Sequence, residues 1–159
     1  MEELARSLGG QLKAADALLV TAESCTGGWA AQVITSVAGS SEWFERGFVV
    51  YSNAAKRELL GVRAETLQLH GAVSEQTAAE MALGALARSK ASVALSITGV
   101  AGPGGGAADK PVGTVCFAWA RSGGWIRAET LHLPGDREAV RRQSVVHALQ
   151  GVLKALKGG

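Results

Sequence analysis

Residues 17–37 constrain this chain more than any other stretch. An apolar run, Ala17-Leu18-Leu19-Val20, leads into Ala22-Glu23-Ser24-Cys25-Thr26-Gly27-Gly28, and an apolar-periodic segment through Trp29, Val33 and Val37 follows at once. A strand, a tight glycine-containing turn and a helix start are written in consecutive residues. A serine on such a turn is exposed, and the N–H groups of the next helix point toward whatever it meets. An activated nucleophile or an anion would be placed there, and this segment alone leaves both open.

The rest of the chain continues the alternation. Leu4, Leu8, Leu12 and Ala15 keep helical spacing, which predicts an opening helix over 2–15, then a strand over 17–23 and a helix over 26–38 broken by Gly39-Ser40-Ser41. Gly47-Phe48-Val49-Val50-Tyr51 reads as a buried strand. Ser52-Asn53 caps a short helix through Leu60, closed by Gly61. Ser74, with Glu75 in the following turn, opens an Ala-rich helix to about residue 89. Val93-Ala94-Leu95-Ser96-Ile97-Thr98 is a third strand, running into Gly99-Val100-Ala101-Gly102-Pro103-Gly104-Gly105-Gly106. Residues 113–120 and 125–133 resemble a hairpin turned at Ser122-Gly123-Gly124, and Asp136 caps a last helix carrying Val145, Leu149, Val152 and Leu156. The expectation is an α/β fold: three layers, α/β/α, around a mixed, mostly parallel sheet, as one domain over 1–159.

Composition removes several function classes. At 159 residues and 47% hydrophobic content the chain can bury a sizeable core. A net charge of +2 is too small for a nucleic-acid stripe. No apolar run approaches the ~20 residues of a membrane span, and the acidic start Met1-Glu2-Glu3-Leu4 is no signal peptide, so the chain reads as cytoplasmic. Cys25 and Cys116 have neither metal spacing nor a disulfide framework. Cys25 is either a rival nucleophile beside Ser24 or a small buried filler. Trp43 and Phe44, if exposed, would suit a contact between copies of the chain.

Two glycine-bearing turns, after the first and third strands, would share the carboxyl edge of a parallel sheet, where ligands of open α/β sheets bind. The first offers the hydroxyls of Ser24 and Thr26 and the N–H groups of Gly27 and Gly28. The second offers Thr98 and the N–H groups of Gly99, Ala101 and Gly102. Neither ends in the lysine-serine pair of a phosphate-binding loop, and neither has dinucleotide-fingerprint spacing. A serine attacks an amide at neutral pH only with a base beside it. His70, in a loop, His132, in the last hairpin strand, and His147, on the final helix, all miss that edge, and each reads as a surface or packing residue. Lys56, one turn into the helix after Tyr51, is the better candidate, provided burial lowers its pKa. The Tyr51 hydroxyl could pass a proton between Ser24, Lys56 and a leaving group. Against this stands the plainer reading, a solvated helix lysine and a tyrosine at a strand end.

Residues 21–28, the segment ending Tyr51-Ser52-Asn53-Ala54-Ala55-Lys56, and Gly71-Ala72-Val73-Ser74-Glu75 share a pattern with Thr98-Gly99-Val100-Ala101-Gly102-Pro103-Gly104-Gly105. Lys110-Pro111-Val112-Gly113-Thr114-Val115 and Gly135-Asp136-Arg137-Glu138 extend it. In one order over residues 18–150, this pattern resembles the nicotinamide-nucleotide amidohydrolases, the family of the C-terminal domain of competence/damage-inducible protein A. The resemblance implies a three-layer α/β/α domain that deamidates nicotinamide mononucleotide to nicotinate mononucleotide and ammonia. It implies a serine nucleophile at Ser24 with Tyr51 and Lys56 beside it, and no metal. Such a substrate brings a phosphate, for which Arg137 and Arg141, one turn apart on the last helix, are suited partners. A solvated helix face is the alternative for both, and Arg142 and Lys154 belong to that face. Trp29, Trp43, Trp119 and Trp125 could stack on a pyridine ring or fill the core.

The expectation is therefore a cofactor-independent amidohydrolase with Ser24, Tyr51 and Lys56 as its catalytic set and a pyridine mononucleotide as its small-molecule partner. Thr26, Gly27, Gly28, Thr98, Gly99, Ala101, Gly102, Arg137 and Arg141 would bind it. No nucleic acid or membrane partner is expected. The rival reading is a non-catalytic regulatory module that uses the same turns to hold a phosphate.

Overall fold

The computed structural model describes residues 1–158. The chain runs α1 (Glu2–Ala14), β1 (Leu19–Glu23), α2 (Trp29–Thr35), a 3-10 turn (Ser40–Glu42), β2 (Phe44–Val49), α3 (Asn53–Leu60), α4 (Ala64–His70) and α5 (Glu75–Ala87). It closes with β3 (Val93–Gly99), β4 (Thr114–Arg121), β5 (Trp125–His132) and α6 (Arg137–Leu156). The strands form one sheet in the order β2-β1-β3-β4-β5. β1 pairs in parallel with β2 and β3, and β4 is antiparallel to both β3 and β5. Four of the five strands therefore point the same way, with β4 reversed between β3 and β5, so the sheet is mixed as expected.

Side chains alternate across the strands, and this sorts the core into two layers. Leu19, Leu95, Ile97, Phe117 and Trp119 face α1, α2 and α6, where Leu8, Leu12, Ile34, Val145 and Leu149 meet them. Val20, Ala22, Ala94, Ala118 and Ala120 face α3 and α5, where Leu60, Ala78, Met81, Ala82 and Ala85 meet them. The same alternation sets up the site, because Glu23 and Ser24 leave the end of β1 toward opposite layers.

Local signals place most boundaries. The side chains of Ser52, Ser74 and Asp136 each accept an N–H from the first turn of α3, α5 and α6. Gly61 ends α3 in the left-handed conformation, at φ 69°.

Three expectations are corrected. The segment at 47–51, read as a buried strand, contributes only residues 47–49 to β2, an edge strand that starts earlier at Phe44. Only β1 borders β2, so Val49 stays 49% exposed while Val50, just beyond the strand, is fully buried. His70, read as a loop residue, ends α4. That helix has no side-chain cap of its own and is held from α5, where the Glu80 carboxylate accepts the Arg63 N–H and the Thr66 hydroxyl. Trp43, read as exposed, is 2% exposed, packed over Gly9 in the space that a side chain there would fill, and Phe44 is half-buried. These two residues therefore offer no exposed aromatic pair for a contact between copies. Among the described residues, no helix is long and apolar enough to cross a membrane. No three His, Cys, Asp or Glu side chains among them are grouped to hold a metal ion.

Candidate active site

The site grows from the end of β1. The Ser24 N–H still pairs with the Ile97 carbonyl, so the serine is held at the sheet edge; the chain then turns, with the Gly27 N–H returning to the Ser24 carbonyl. Gly27 and Gly28 sit at φ 61° and 100°, a region that side-chain-bearing residues rarely enter, so the turn needs glycine at both positions. Gly28 is the N-cap of α2 and has no side chain with which to cap it.

Glu23 supplies what Gly28 lacks. Its carboxylate, fully buried, accepts the N–H groups of Ala30 and Ala31 at 2.8 and 3.1 Å and the Thr26 hydroxyl at 2.6 Å. One side chain thus joins the strand end, the turn and the first turn of α2, and the helix N-terminus favours its negative charge. Sequence reasoning passed over this residue. The available signal was an acidic side chain just ahead of a helix whose N-cap is glycine.

On the opposite face, α3 delivers Lys56. Its side chain is 1% exposed, and Nζ lies 3.0 Å from Ser24 Oγ, 3.2 Å from the Val50 carbonyl oxygen and 3.1 Å from that of Tyr51. Burial pushes the amine below its usual value near 10.5, because a charge with little water around it is disfavoured. Ser24, expected to be exposed on its turn, is instead buried, at 7% exposure, because α3 and Lys56 pack over it. Cys25 points away into the apolar layer of α1, α2 and α6, and burial drives its thiol up to about 11, which keeps it protonated at neutral pH.

Ser24 and Lys56 open into a cavity of about 160 Å3, walled also by Tyr51, Asn53, Ala72, Val73, Thr98, Ala101 and Arg137. Tyr51 joins it in two ways. Its backbone carbonyl accepts from Lys56, while its side chain, 66% exposed, carries the hydroxyl to within 3.5 Å of an Arg137 nitrogen at the mouth. Ser24 and Lys56 are in direct contact, with no phenol between them. The Thr98 hydroxyl donates to the Ala72 carbonyl and so ties the two walls together.

A wider cavity of about 780 Å3 adjoins it, lined by Thr26, Gly27, Gly28, Trp29, Gln32, Glu138, Arg141 and again Arg137. Arg137 donates to the Gly102 carbonyl at 2.8 Å, which links the second glycine turn to α6. Arg141 donates to the carbonyls of Cys25 and Thr26 at 3.0 and 3.2 Å and lies over the Trp29 ring. Two of its nitrogens therefore hold the turn after Ser24. The Thr26 hydroxyl is committed to Glu23. Gly99 and Ala101 line the smaller cavity, while Gly102, at φ 86°, contributes the carbonyl that Arg137 holds.

The histidines stand elsewhere. His70 and His132 line a separate cavity of about 490 Å3 with Glu75, Lys110 and Thr130. His147 bonds Glu129 and sits edge-on to Phe117. Trp119 is core, with its indole N–H on the Ala148 carbonyl. Trp29 lines the wider cavity beside Ser24. Arg142 and Lys154 are exposed, and Arg142 pairs with Glu138.

Comparison with known proteins agrees over nearly the whole chain. The nicotinamide-nucleotide amidohydrolase PncC of Escherichia coli is 58% identical over 150 residues, 93% of this chain and 90% of that protein. The protein of the same name from Enterobacter agglomerans is 54% identical over 97% of this chain and 94% of its own length. The crystal structure of the competence/damage inducible protein CihA from Agrobacterium tumefaciens matches with a TM-score of 0.94 at 47% identity, covering 98% of this chain and 94% of that one. Residues 1–156 match the family described as the CinA C-terminal domain. With that match spanning every element from α1 to α6, the chain belongs to the CinA C-terminal domain family.

Proposed function

We propose that this chain is a nicotinamide-nucleotide amidohydrolase that converts nicotinamide mononucleotide to nicotinate mononucleotide and ammonia, with Ser24 as nucleophile and Lys56 as base. The named activity of the PncC relatives supports the reaction. One observation carries the mechanism: the buried Lys56 amine lies 3.0 Å from Ser24 Oγ.

Charged, Lys56 donates to Ser24 Oγ and to both carbonyls; burial favours its neutral form, which the same partners also accommodate. A neutral amine has two N–H donors and one lone pair. Two backbone carbonyls are present to take the donors, and the Ser24 hydroxyl can then donate to the lone pair. Ser24 Oγ attacks the carboxamide carbon as its proton passes to Lys56, and the same proton leaves with ammonia. The developing oxyanion would take backbone N–H donors from the glycine turns, other than that of Gly27, which the Ser24 carbonyl already holds; losing one such donor typically costs about 2.7–4 kcal/mol. Lys56 then takes a proton from the water that attacks the acyl-enzyme and returns it to Ser24 Oγ as the ester bond breaks, releasing the acid. The Tyr51 hydroxyl and Arg137 at the mouth meet the leaving side or the nucleotide. Arg137 and the start of α6 suit the phosphate, while Arg141 keeps the turn in place.

The test is ammonia release from nicotinamide mononucleotide by the purified protein. Release by the parent and near-complete loss in Ser24→Ala, with the fold intact by circular dichroism, is the expected result. A Ser24→Ala protein as active as the parent removes Ser24 from this role. Nicotinamide riboside, which lacks the phosphate, is expected to be used at least about tenfold less well, since charge-assisted hydrogen bonds are worth ~1.5–3 kcal/mol each. Equal use of both compounds would return Arg137 to the protein surface.

A further inference from the structure

We propose that the Ser24 site is also an acyltransferase, passing its acyl group to small uncharged amines and making a hydroxamate when the amine is hydroxylamine. The inference rests on the amidohydrolase reading above and concerns what replaces water in the second half of the reaction.

Three features of the cavity lead there. First, its lining holds a single base. The residues that wall it around Ser24 and Lys56 include no histidine and no carboxylate. The nearest buried carboxylate, Glu23, points into the opposite layer, with its oxygens taken by Thr26, Ala30 and Ala31. No group is therefore reserved for a water molecule, and Lys56 must serve both halves of the reaction.

Second, Lys56 is aimed at Ser24 Oγ, 3.0 Å away. Its other two partners are the carbonyls of Val50 and Tyr51, which accept hydrogen bonds but take no proton. After acylation the base still faces the ester oxygen, ready for any nucleophile that reaches the carbonyl beside it.

Third, ammonia must leave the site, so a path for a small neutral amine exists by the requirements of the forward reaction. An amine arriving on that path attacks along the line on which ammonia departed and gives its proton to the base that delivered one. Hydroxylamine is only one heavy atom larger than ammonia. It is largely uncharged at neutral pH and is a stronger nucleophile than water.

The balance is complete without an oxidant or reductant. In the first half the Ser24 Oγ–carbon bond forms and the carbon–nitrogen bond of the carboxamide breaks, with ammonia carrying away the serine proton through Lys56. In the second, the hydroxylamine nitrogen bonds the acyl carbon and the bond to Ser24 Oγ breaks. One N–H proton passes through Lys56 back to Ser24 Oγ.

The experiment is to incubate the protein with nicotinamide mononucleotide and increasing hydroxylamine at neutral pH. Ammonia, the free acid and the hydroxamate are each quantified by mass spectrometry or a coupled assay. The expected result is a hydroxamate-to-acid ratio that rises in proportion to hydroxylamine, with ammonia release undiminished and both products absent in Ser24→Ala. Ammonia and acid without hydroxamate overturn the acyl transfer and leave the amidohydrolase reading standing. Hydroxamate formed equally by Ser24→Ala overturns it too, because the amine then needs no acyl-enzyme. No ammonia from the parent, with or without hydroxylamine, overturns both.

Discussion

The two faces of the sheet are packed with different materials. Against α1, α2 and α6 the core is built of large side chains, Trp43, Phe117, Trp119 and several leucines, which exclude the most apolar area from water. Against α3 and α5 it is built largely of alanines, with Met81 and Leu60 among the few large members. The small side chains let the helix backbones come close: a Cβ on Gly84 of α5 would meet the Leu60 carbonyl oxygen of α3 at 1.9 Å. The bulky face stabilises by area. The alanine face leaves room for a long, polar lysine side chain to cross from α3 to Ser24 with protein on nearly every side. The lowered pKa of Lys56 follows from that burial.

The severest test of this contrast is Lys56→Arg. A guanidinium keeps the charge but cannot give up its proton at working pH, so the rate should fall by roughly 10²- to 10⁴-fold, the usual worth of a general base. Ammonia release measured beside a thermal melt separates this from unfolding. An active Lys56→Arg protein sinks the base assignment. The pH profile of the parent sharpens the point. In the proposed mechanism Lys56 works as the neutral amine, so activity should rise with pH through its folded pKa and fall as pH drops below it. Because burial lowers that pKa from 10.5, the rise should lie below the range of a solvated lysine.

Glu23→Gln comes next. A glutamine NH2 would face the N–H groups of Ala30 or Ala31, and leaving a buried donor without an acceptor costs about 1–3 kcal/mol. Since Glu23 touches the turn and not the cavity, kcat should fall more than KM rises, and Tm should drop with it. A variant with unchanged kcat would make Glu23 a purely structural cap.

Two glycines compare the faces directly. Gly84→Ala drives a Cβ into the Leu60 backbone, one turn beyond Lys56, while Gly151→Ala drives one into the Trp119 ring at 2.0 Å. Overpacking of this kind costs typically ~1–3 kcal/mol, so both should lower Tm. Only Gly84→Ala moves α3, and only it should also lower kcat at a temperature where the protein is folded. Equal kcat losses in the two would erase the functional distinction between the faces. The smallest effect is expected from His147→Gln, on the aromatic face against Glu129 and Phe117, which should leave kcat unchanged.

Much of this was legible because it is local. Ser52, Ser74 and Asp136 cap the helices that follow them through bonds to a residue three positions on. Gly27, Gly28 and Gly61 mark left-handed backbone where a side chain would be strained. The strand–turn–helix around Ser24 and the order of the elements come from the same short-range patterns. Helix α4 was not legible, because the carboxylate that anchors it belongs to Glu80, 14 residues beyond Thr66. The edge position of β2 was not legible either, since an apolar run looks the same with one neighbouring strand as with two.

The amino-acid sequence determined which residues could do chemistry: a serine on a glycine turn, a lysine one turn into a capped helix, and three histidines away from both. Tertiary structure decided which of them meet and in what state. Lys56 and Ser24 are 32 residues apart, and their contact depends on β1 and β2 pairing in parallel so that α3 folds back over the end of β1. Strand alternation sent Glu23 to one layer and Ser24 to the other, and burial between α3 and the sheet lowered the lysine pKa. Propensities and caps act over a few residues, whereas desolvation depends on everything packed around an atom, and only the folded chain supplies that.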